Sequence, residues 1–295
     1  MEARFEASLG EKRRLVEEAL ERLLPSGPET PGVLAHGMRY AVIPGGKRLR
    51  PVLCLAACEA CGGEPARALA CACALEFVHA FSLVHDDLPA MDDDDLRRGR
   101  PTLHKVIGEG MAILAGDALL TLAFDVVVND ERLTDAQKAA AVRELAWAGG
   151  HSALAGGQVL DLEAEGKRIS AEELERIHAG KTAALMTAAV VIGGIAAGAP
   201  REQLDALRTY GRHLGLAFQI VDDVLDVVGD EAKLGKHVGA DEEHEKATAV
   251  AVYGLDAARK RAAKHVEKAR AALDVFGARG ALLRAVAADM LERDR

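Results

Sequence analysis

Aromatic side chains are scarce in this chain. Six Phe, three Tyr and one Trp make up 3% of its 295 residues. Strand-rich folds draw more heavily on aromatic and β-branched residues, and no segment alternates convincingly between apolar and polar with a period of two. Proline is also rare, at nine, and with 56 alanines the chain has long stretches free to be helical. Cysteine is limited to Cys54, Cys58, Cys61, Cys71 and Cys73, all within one twenty-residue stretch. An odd, clustered set on helical sequence is not a secreted disulfide framework. Cys54, Cys58 and Cys61 fall at i, i+4 and i+7 among Leu and Ala, a pattern of packed core thiols more than of a zinc site. Positive charge is not in excess either. With 37 basic and 46 acidic residues the net charge is −9, which argues against nucleic acid or an anionic membrane as the main partner. The start, Met1–Leu24, is charged throughout and has no apolar signal core, so a cytoplasmic location is expected.

What is present is a folded chain: 49% of residues are hydrophobic and the mean hydropathy is +0.03. From Thr182 to Pro200 no charge occurs. This run is mostly Ala and Gly, with Gly193-Gly194 in its middle, and it reads as a buried helix rather than an integral membrane segment. Helical spacing predicts helices over Ala3–Leu24, Pro31 to about Val42, Arg50–Cys61, Glu64–Leu88, Met111–Asp130, Asp135–Trp147 and Leu154–Ala164. Ser170 with Glu173 forms a capping box for the next helix. Lys181–Ala199, Arg201–Val228, Asp241–Leu273 and Arg279–Arg293 complete the set. Composition does not shift along the chain, which predicts one all-α domain over residues 1–295.

Acidic residues gather in two places. Asp86-Asp87-Leu88-Pro89-Ala90-Met91-Asp92-Asp93-Asp94-Asp95 holds six aspartates in ten residues. Pro89 should stop the helix before it, and the chain must bend after Leu88 for Asp86 and Asp92 to share a ligand. In Asp222-Asp223-Val224-Leu225-Asp226, Asp222 and Asp226 lie on one helix face and Gln219 joins their stripe. Grouped hard oxygen ligands suit Mg²⁺, which bridges to phosphates. A solvated acidic loop would account equally well for Asp93–Asp95, but not for acids that interrupt an apolar helix. Basic residues also cluster: Gly45-Gly46-Lys47-Arg48-Leu49-Arg50-Pro51, and Arg97-Arg98-Gly99-Arg100-Pro101-Thr102 directly after the first acids. Alone, either run is more often ordinary charged surface. Beside two acid clusters, they fit a polyanion bound through metal and directly at once. His79 is two turns before Asp86 on one stripe, a position that by itself suits a core histidine. A competing pattern is Glu76-x-x-His79 with Glu175-x-x-His178, the spacing of a di-iron carboxylate bundle. It leaves both aspartate clusters and both basic runs unexplained.

These motifs, in order, resemble the trans-isoprenyl diphosphate synthases, also called polyprenyl synthetases, over nearly the whole chain. The carriers are GGKRLRP (45–51), HDDLPAMDDDDLRRGRPT (85–102), GGQVLDL (156–162), KT (181–182), FQIVDDVLD (218–226) and LGK (234–236). The pattern is most similar to bacterial members that make farnesyl diphosphate. The resemblance implies an all-α bundle around a deep central cavity, the isoprenoid synthase type I fold, assembled as a homodimer. It implies an enzyme that joins an allylic diphosphate (dimethylallyl or geranyl) to isopentenyl diphosphate with Mg²⁺, three ions per active site. It assigns Asp86, Asp92 and Asp222 to the metal, supported by Asp87 and Asp226, and counts Asp223 among the catalytic residues. Arg97, Lys181 and Lys236 would hold the allylic diphosphate. Gly46, Lys47, Arg50, His79 and Arg98 would bind isopentenyl diphosphate, and Thr182 and Gln219 would lie near the developing cation. Phe81 and Ser82, five and four residues before Asp86, would line the tail pocket and set a fifteen-carbon product. Geranylgeranyl and geranyl diphosphate synthases share all these residues. A terpene cyclase normally carries Asn, Ser and Glu in its second metal motif, where this chain has only acids, and a non-catalytic subunit would have lost aspartates. After Lys246-Ala247-Thr248 family members often have Tyr-Pro; here Ala249-Val250 stands. The C-terminus, Arg293-Asp294-Arg295, is only weakly basic.

Overall fold

Alanine and glycine let helices approach closely, and the architecture follows from that. The structure is a computed structural model and describes residues 2–228 and 246–292. In chain order the α-helices are α1 (Glu2–Leu23), α2 (Gly32–Val42), α3 (Leu49–Ala60), α4 (Leu69–Asp86), α5 (Leu103–Ile107), α6 (Glu109–Val128) and α7 (Asp135–Gly149). After them come α8 (Leu154–Ala164), α9 (Ala171–His178), α10 (Ala184–Ala197), α11 (Arg201–Val228), α12 (Ala249–Tyr253), α13 (Leu255–Ala272) and α14 (Ala281–Glu292). The all-α expectation is met, and α8 and α11 have the bounds read from sequence.

The differences have local causes. The helix expected from Glu64 begins as a 3₁₀ turn, Pro65–Ala68, and becomes α4 only at Leu69. The helix expected from Arg279 is preceded by the 3₁₀ turn Asp274–Gly280, where Gly277 has φ +52°, and α14 starts at Ala281. Of the helix expected from Asp241, residues 246–248 are not helical and Gly254, at φ +75°, divides the rest into α12 and α13. Period-two reasoning found no strand, yet Leu96–Arg97 pairs antiparallel with Arg100–Pro101. The turn between them is Arg98-Gly99, both at positive φ. So short a hairpin owes its form to its turn, not to alternation.

The core is a seam of small residues. Thirteen consecutive residues of α10, Ala184–Ala196, are buried. Gly193 is essential to this: a Cβ there would run into the carbonyl of Cys54 on α3. The cysteines are free thiols and four of the five are buried, as expected of core residues. The 18-residue windows in Pro65–Asp86, Glu109–Val128 and Ala171–Ala197 are apolar enough to cross a membrane, but those in the first and third are 72% and 78% buried in the fold. Protein packing therefore accounts for their apolarity. The α6 window is only 39% buried and leaves Met111, Ile113, Leu114 and Val128 exposed.

Where α11 meets α13, the Nδ1 atoms of His213 and His265 lie 3.0 Å apart. One ring must be deprotonated at that nitrogen for the contact to be a hydrogen bond. Burial is the main cause that holds both imidazoles below their ordinary range, with Lys268 and Arg212 adding to it and Glu175 opposing; His265 is brought to about 4. The unfolded chain takes up these protons near 6.5 while the fold resists until lower pH, so their contribution to stability is lost as pH falls through that window. Relative to His265→Asn, the melting temperature of the parent should drop by a few degrees between neutral pH and about 5. An equal drop in both proteins would contradict the assignment.

Candidate active site

Asp86 is the last residue of α4, as Pro89 requires. The chain then bends: the Leu88 amide donates to the His85 carbonyl and the Asp92 amide to the Asp86 carbonyl at 2.9 Å. The bend brings Asp92 back to Asp86 despite their six-residue separation. Burial pushes the Asp86 carboxyl up to about 6; Lys181 and Arg97 pull it down, while Asp92 and Asp87 push it further up. Asp87 is buried and is also raised to about 6 by burial, although Arg97 Nε donates to its Oδ1 at 2.5 Å. Arg97 also reaches Asp94 Oδ2 at 3.0 Å.

Lys181 and Thr182 stand in an unusual place. The helical path from α9 into α10 passes through a π-turn, Ala179–Ala183, which was expected to be regular helix from Lys181 onward. Such bulges shift side chains off the α-helical register and recur at functional sites. α8 packs directly on the turn because Gly157 has no Cβ; one there would strike the Lys181 amide and Gly180. This contact brings Asp161 to Lys181, Oδ2 to Nζ 2.6 Å. The turn also faces α11, where Thr182 Oγ1 donates to Gln219 Oε1 at 2.6 Å. Asp161, Ile177, His178, Lys181, Thr182, Gln219, Asp222, Asp223 and the segment 246–248 line one cavity of about 190 Å³. Lys246 Nζ lies 3.2 Å from Asp92 Oδ1. The two acid clusters thus meet through two lysines: Lys181, which is felt by Asp86, and Lys246, which is paired with Asp92.

The basic residues form a neighbouring group. Arg98 donates to the Gly45 carbonyl and lies against Gly46, so the hairpin turn is docked on the glycine loop. His79 is held well below its ordinary pKa, first by burial and then by Arg50, Arg98, Arg97 and Arg48 around it. Arg50 is lowered to about 10 by burial, with Glu76 opposing and Arg98 adding. Guanidinium groups crowded in this way favour an anion between them. Lys47 is exposed on the same loop. Arg97 and Arg98 also line a second cavity of about 360 Å³ with Tyr40, Gly46, Val84 and Thr102.

Sequence reasoning passed over Arg48, Asp161, His178 as a cavity residue, and Lys246. Arg48 and Asp161 lie inside the motifs GGKRLRP and GGQVLDL; nothing in spacing joins Lys246 to Asp92. Lys236 lies outside the described residues. Phe81 is half-buried, its ring edge-on to His85 at 5.5 Å, and the His85 ring occupies the space that a Cβ at Gly116 would take. Ser82 is half-buried on the same helix, its hydroxyl donating to the His79 carbonyl.

Among the described residues no three Asp, Glu, His or Cys side chains close on one point in a way that could hold a metal. The di-iron reading needs such an all-protein cage. It fails also on its own residues: Glu76 is paired with Arg48, and Glu175 with Arg212. Mg²⁺ makes a different demand. It takes one or two carboxylates per ion and completes its shell with water and substrate phosphate. Asp86, Asp92 and Asp222 offer hard oxygens on the walls around Lys181 and Lys246, and that donor set fits Mg²⁺ shared with a diphosphate.

A family profile described as polyprenyl synthetase matches residues 31–276. The chain is 46% identical over 278 residues to the farnesyl diphosphate synthase of Geobacillus stearothermophilus, covering 92% of this chain and 93% of that protein. It is 43% identical to the geranylgeranyl diphosphate synthase of Cyanophora paradoxa, covering 97% and 95%. Among solved structures, geranylgeranyl pyrophosphate synthetase from Pyrococcus horikoshii superposes with a TM-score of 0.90 at 35% identity, covering 99% of both chains.

Proposed function

The chain belongs to the polyprenyl synthetase family, and on that premise we propose that it is a short-chain isoprenyl diphosphate synthase whose product is farnesyl diphosphate. The observation that carries this reading is the meeting of the two aspartate clusters at Lys181 and Lys246, next to a crowd of arginines around His79. Two anionic heads could be held side by side there.

Asp86, Asp92 and Asp222 would hold Mg²⁺, three ions per site, with Asp87 and Asp226 in support. Bound Mg²⁺ supplies positive charge that stabilises a departing diphosphate. Arg97 and Lys181 are pre-oriented by their acid partners, Asp87 and Asp161, and with Lys236 would grip the allylic diphosphate. Gly46, Lys47, Arg50, His79 and Arg98 would grip isopentenyl diphosphate, His79 as a neutral donor. The allylic C–O bond breaks and its electron pair leaves on the diphosphate. The isopentenyl double bond then forms the new C–C bond, and a proton passes to the released pyrophosphate. Thr182 and Gln219 would face the cation, and buried α10 and α11 walls would keep water from it. The exposed apolar residues of α6 would form a homodimer face, and five free thiols suit the cytoplasm. Adding a chelator in excess of Mg²⁺ should stop pyrophosphate release in the presence of both substrates; release that continues unchanged would sink the metal assignment.

Phe81 would set the length of the product. A phenyl ring one turn before Asp86 would stop the growing tail at fifteen carbons. Phe81→Ala should move the product distribution to twenty carbons or more. An unchanged distribution on chromatography would show that Phe81 only packs against His85.

A further inference from the structure

Asp222 and Asp223 are adjacent in sequence, yet their surroundings differ. Asp222 is half-buried on the cavity wall. Asp223 is 3% exposed, and both of its oxygens are held by amides. Its Oδ2 accepts from the backbone N–H of Ala249 at 2.7 Å, and its Oδ1 accepts from Gln219 Nε2 at 2.9 Å. His178 Nε2 lies 3.4 Å from Oδ2. From this geometry we propose that Asp223 is a positioning residue: it clasps the backbone at Ala249 to α11 and so holds Lys246, a cation of the diphosphate site, against the first acid cluster. The second half of the proposal rests on the reading of the cavity as a diphosphate site.

The chain of contacts is continuous. Thr182 Oγ1 donates to Gln219 Oε1, Gln219 donates to Asp223, and Asp223 takes the Ala249 amide. Each bond fixes the next: with its oxygen given to Thr182, the Gln219 amide has its nitrogen toward Asp223. Beside the anchor, Thr248 Oγ1 accepts from Ala251 N at 3.1 Å and caps α12, fixing where the strip 246–248 joins the helix. The strip is anchored at Ala249, and Lys246, three residues before the anchor, reaches Asp92 at 3.2 Å. Lys246, Ala247 and Thr248 share the cavity wall with Lys181 and Asp222. A cation there faces acids on one side and the space for an anion on the other. This also gives the tandem aspartates distinct tasks. Asp222 faces the cavity, and Asp223 ties down the wall opposite the first cluster.

The test uses the full chain. Amide exchange of the 246–253 peptide reads the clasp without any substrate. Calorimetry with inorganic pyrophosphate and Mg²⁺ reads the anion site without turnover. Asp223→Ala should speed exchange at Ala249 at least about tenfold, the loss of a hydrogen bond to a charged acceptor, with helical circular dichroism unchanged. Asp223→Asn keeps one carbonyl oxygen for an amide and should restore much of the protection. Lys246→Gln should leave exchange at Ala249 as it is and weaken pyrophosphate binding about tenfold. Asp223→Ala should weaken binding to a similar degree, and the double variant should bind no worse than the weaker single one, because both act through one ammonium. Unchanged exchange in Asp223→Ala, or additive losses in the double variant, would overturn the proposal. If the parent protein binds no pyrophosphate, the diphosphate reading fails and Lys246 loses its role; exchange at Ala249 then still decides whether the clasp exists.

Discussion

Asp86→Ala and Asp222→Ala should each lower turnover by about 10³-fold or more, since several kcal/mol of transition-state charge stabilisation depends on the ions they would hold. Neither should unfold the protein. For Asp86 the physics goes further. Burial raises its carboxyl to about 6, and Asp92 and Asp87 add to the rise. A carboxyl whose folded pKa lies above its unfolded value destabilises the fold at neutral pH, where the charge is forced to exist. Asp86→Asn should therefore melt no lower than the parent while losing activity. That combination separates a residue kept for chemistry from one kept for packing. Full activity in either alanine variant at saturating Mg²⁺ would refute the metal assignment, and loss of activity with loss of helical circular dichroism would reassign the residue to the fold.

Glu76→Gln should cost about 3–5 kcal/mol of folding stability, the usual penalty for removing one partner of a buried ion pair. Arg48 Nη1 donates to Glu76 Oε1 at 2.6 Å, and both side chains are almost wholly buried, at 2% and 5% exposed. Arg48 Nη2 also donates to the Val42 carbonyl at 2.7 Å and to that of Ile43 at 3.1 Å. These contacts hold Arg48 at φ +48°, just before α3. They thereby join the glycine-lysine loop to α4, the helix that ends in Asp86. Without the carboxylate a guanidinium remains buried among carbonyls and other arginines. Urea titration should show a lower midpoint with an unchanged slope. The double variant Arg48→Met/Glu76→Leu should recover most of the loss, because no uncompensated charge is left. A cost below about 1 kcal/mol for Glu76→Gln would mean that water reaches the pair.

Much of this was legible in the sequence because it depends on local rules. The bounds of α8 and α11, the Ser170 capping box and the stop at Pro89 follow from spacing, caps and a missing N–H. The motifs also pointed correctly to the family. Less was legible wherever a residue is defined by a partner far along the chain. Arg48 reads as one cation among three, yet it is buried by Glu76, 28 residues away. Lys246 sits 154 residues from Asp92. The π-turn at 179–183 has no composition of its own, and the glycine packed against it, Gly157, lies on a different helix. Asp223 reads as equivalent to Asp222 in sequence, and the amides of Ala249 and Gln219 set it apart. The 96–101 hairpin was missed because two-residue strands carry no period.

The most direct measurement is the chain length of the product formed by purified protein from isopentenyl diphosphate, Mg²⁺ and geranyl diphosphate. Pyrophosphate should be released as a fifteen-carbon prenyl diphosphate forms and accumulates as the end product. The absence of condensation with geranyl or dimethylallyl diphosphate would contradict the assigned activity, and continued extension to twenty carbons would contradict the role given to Phe81.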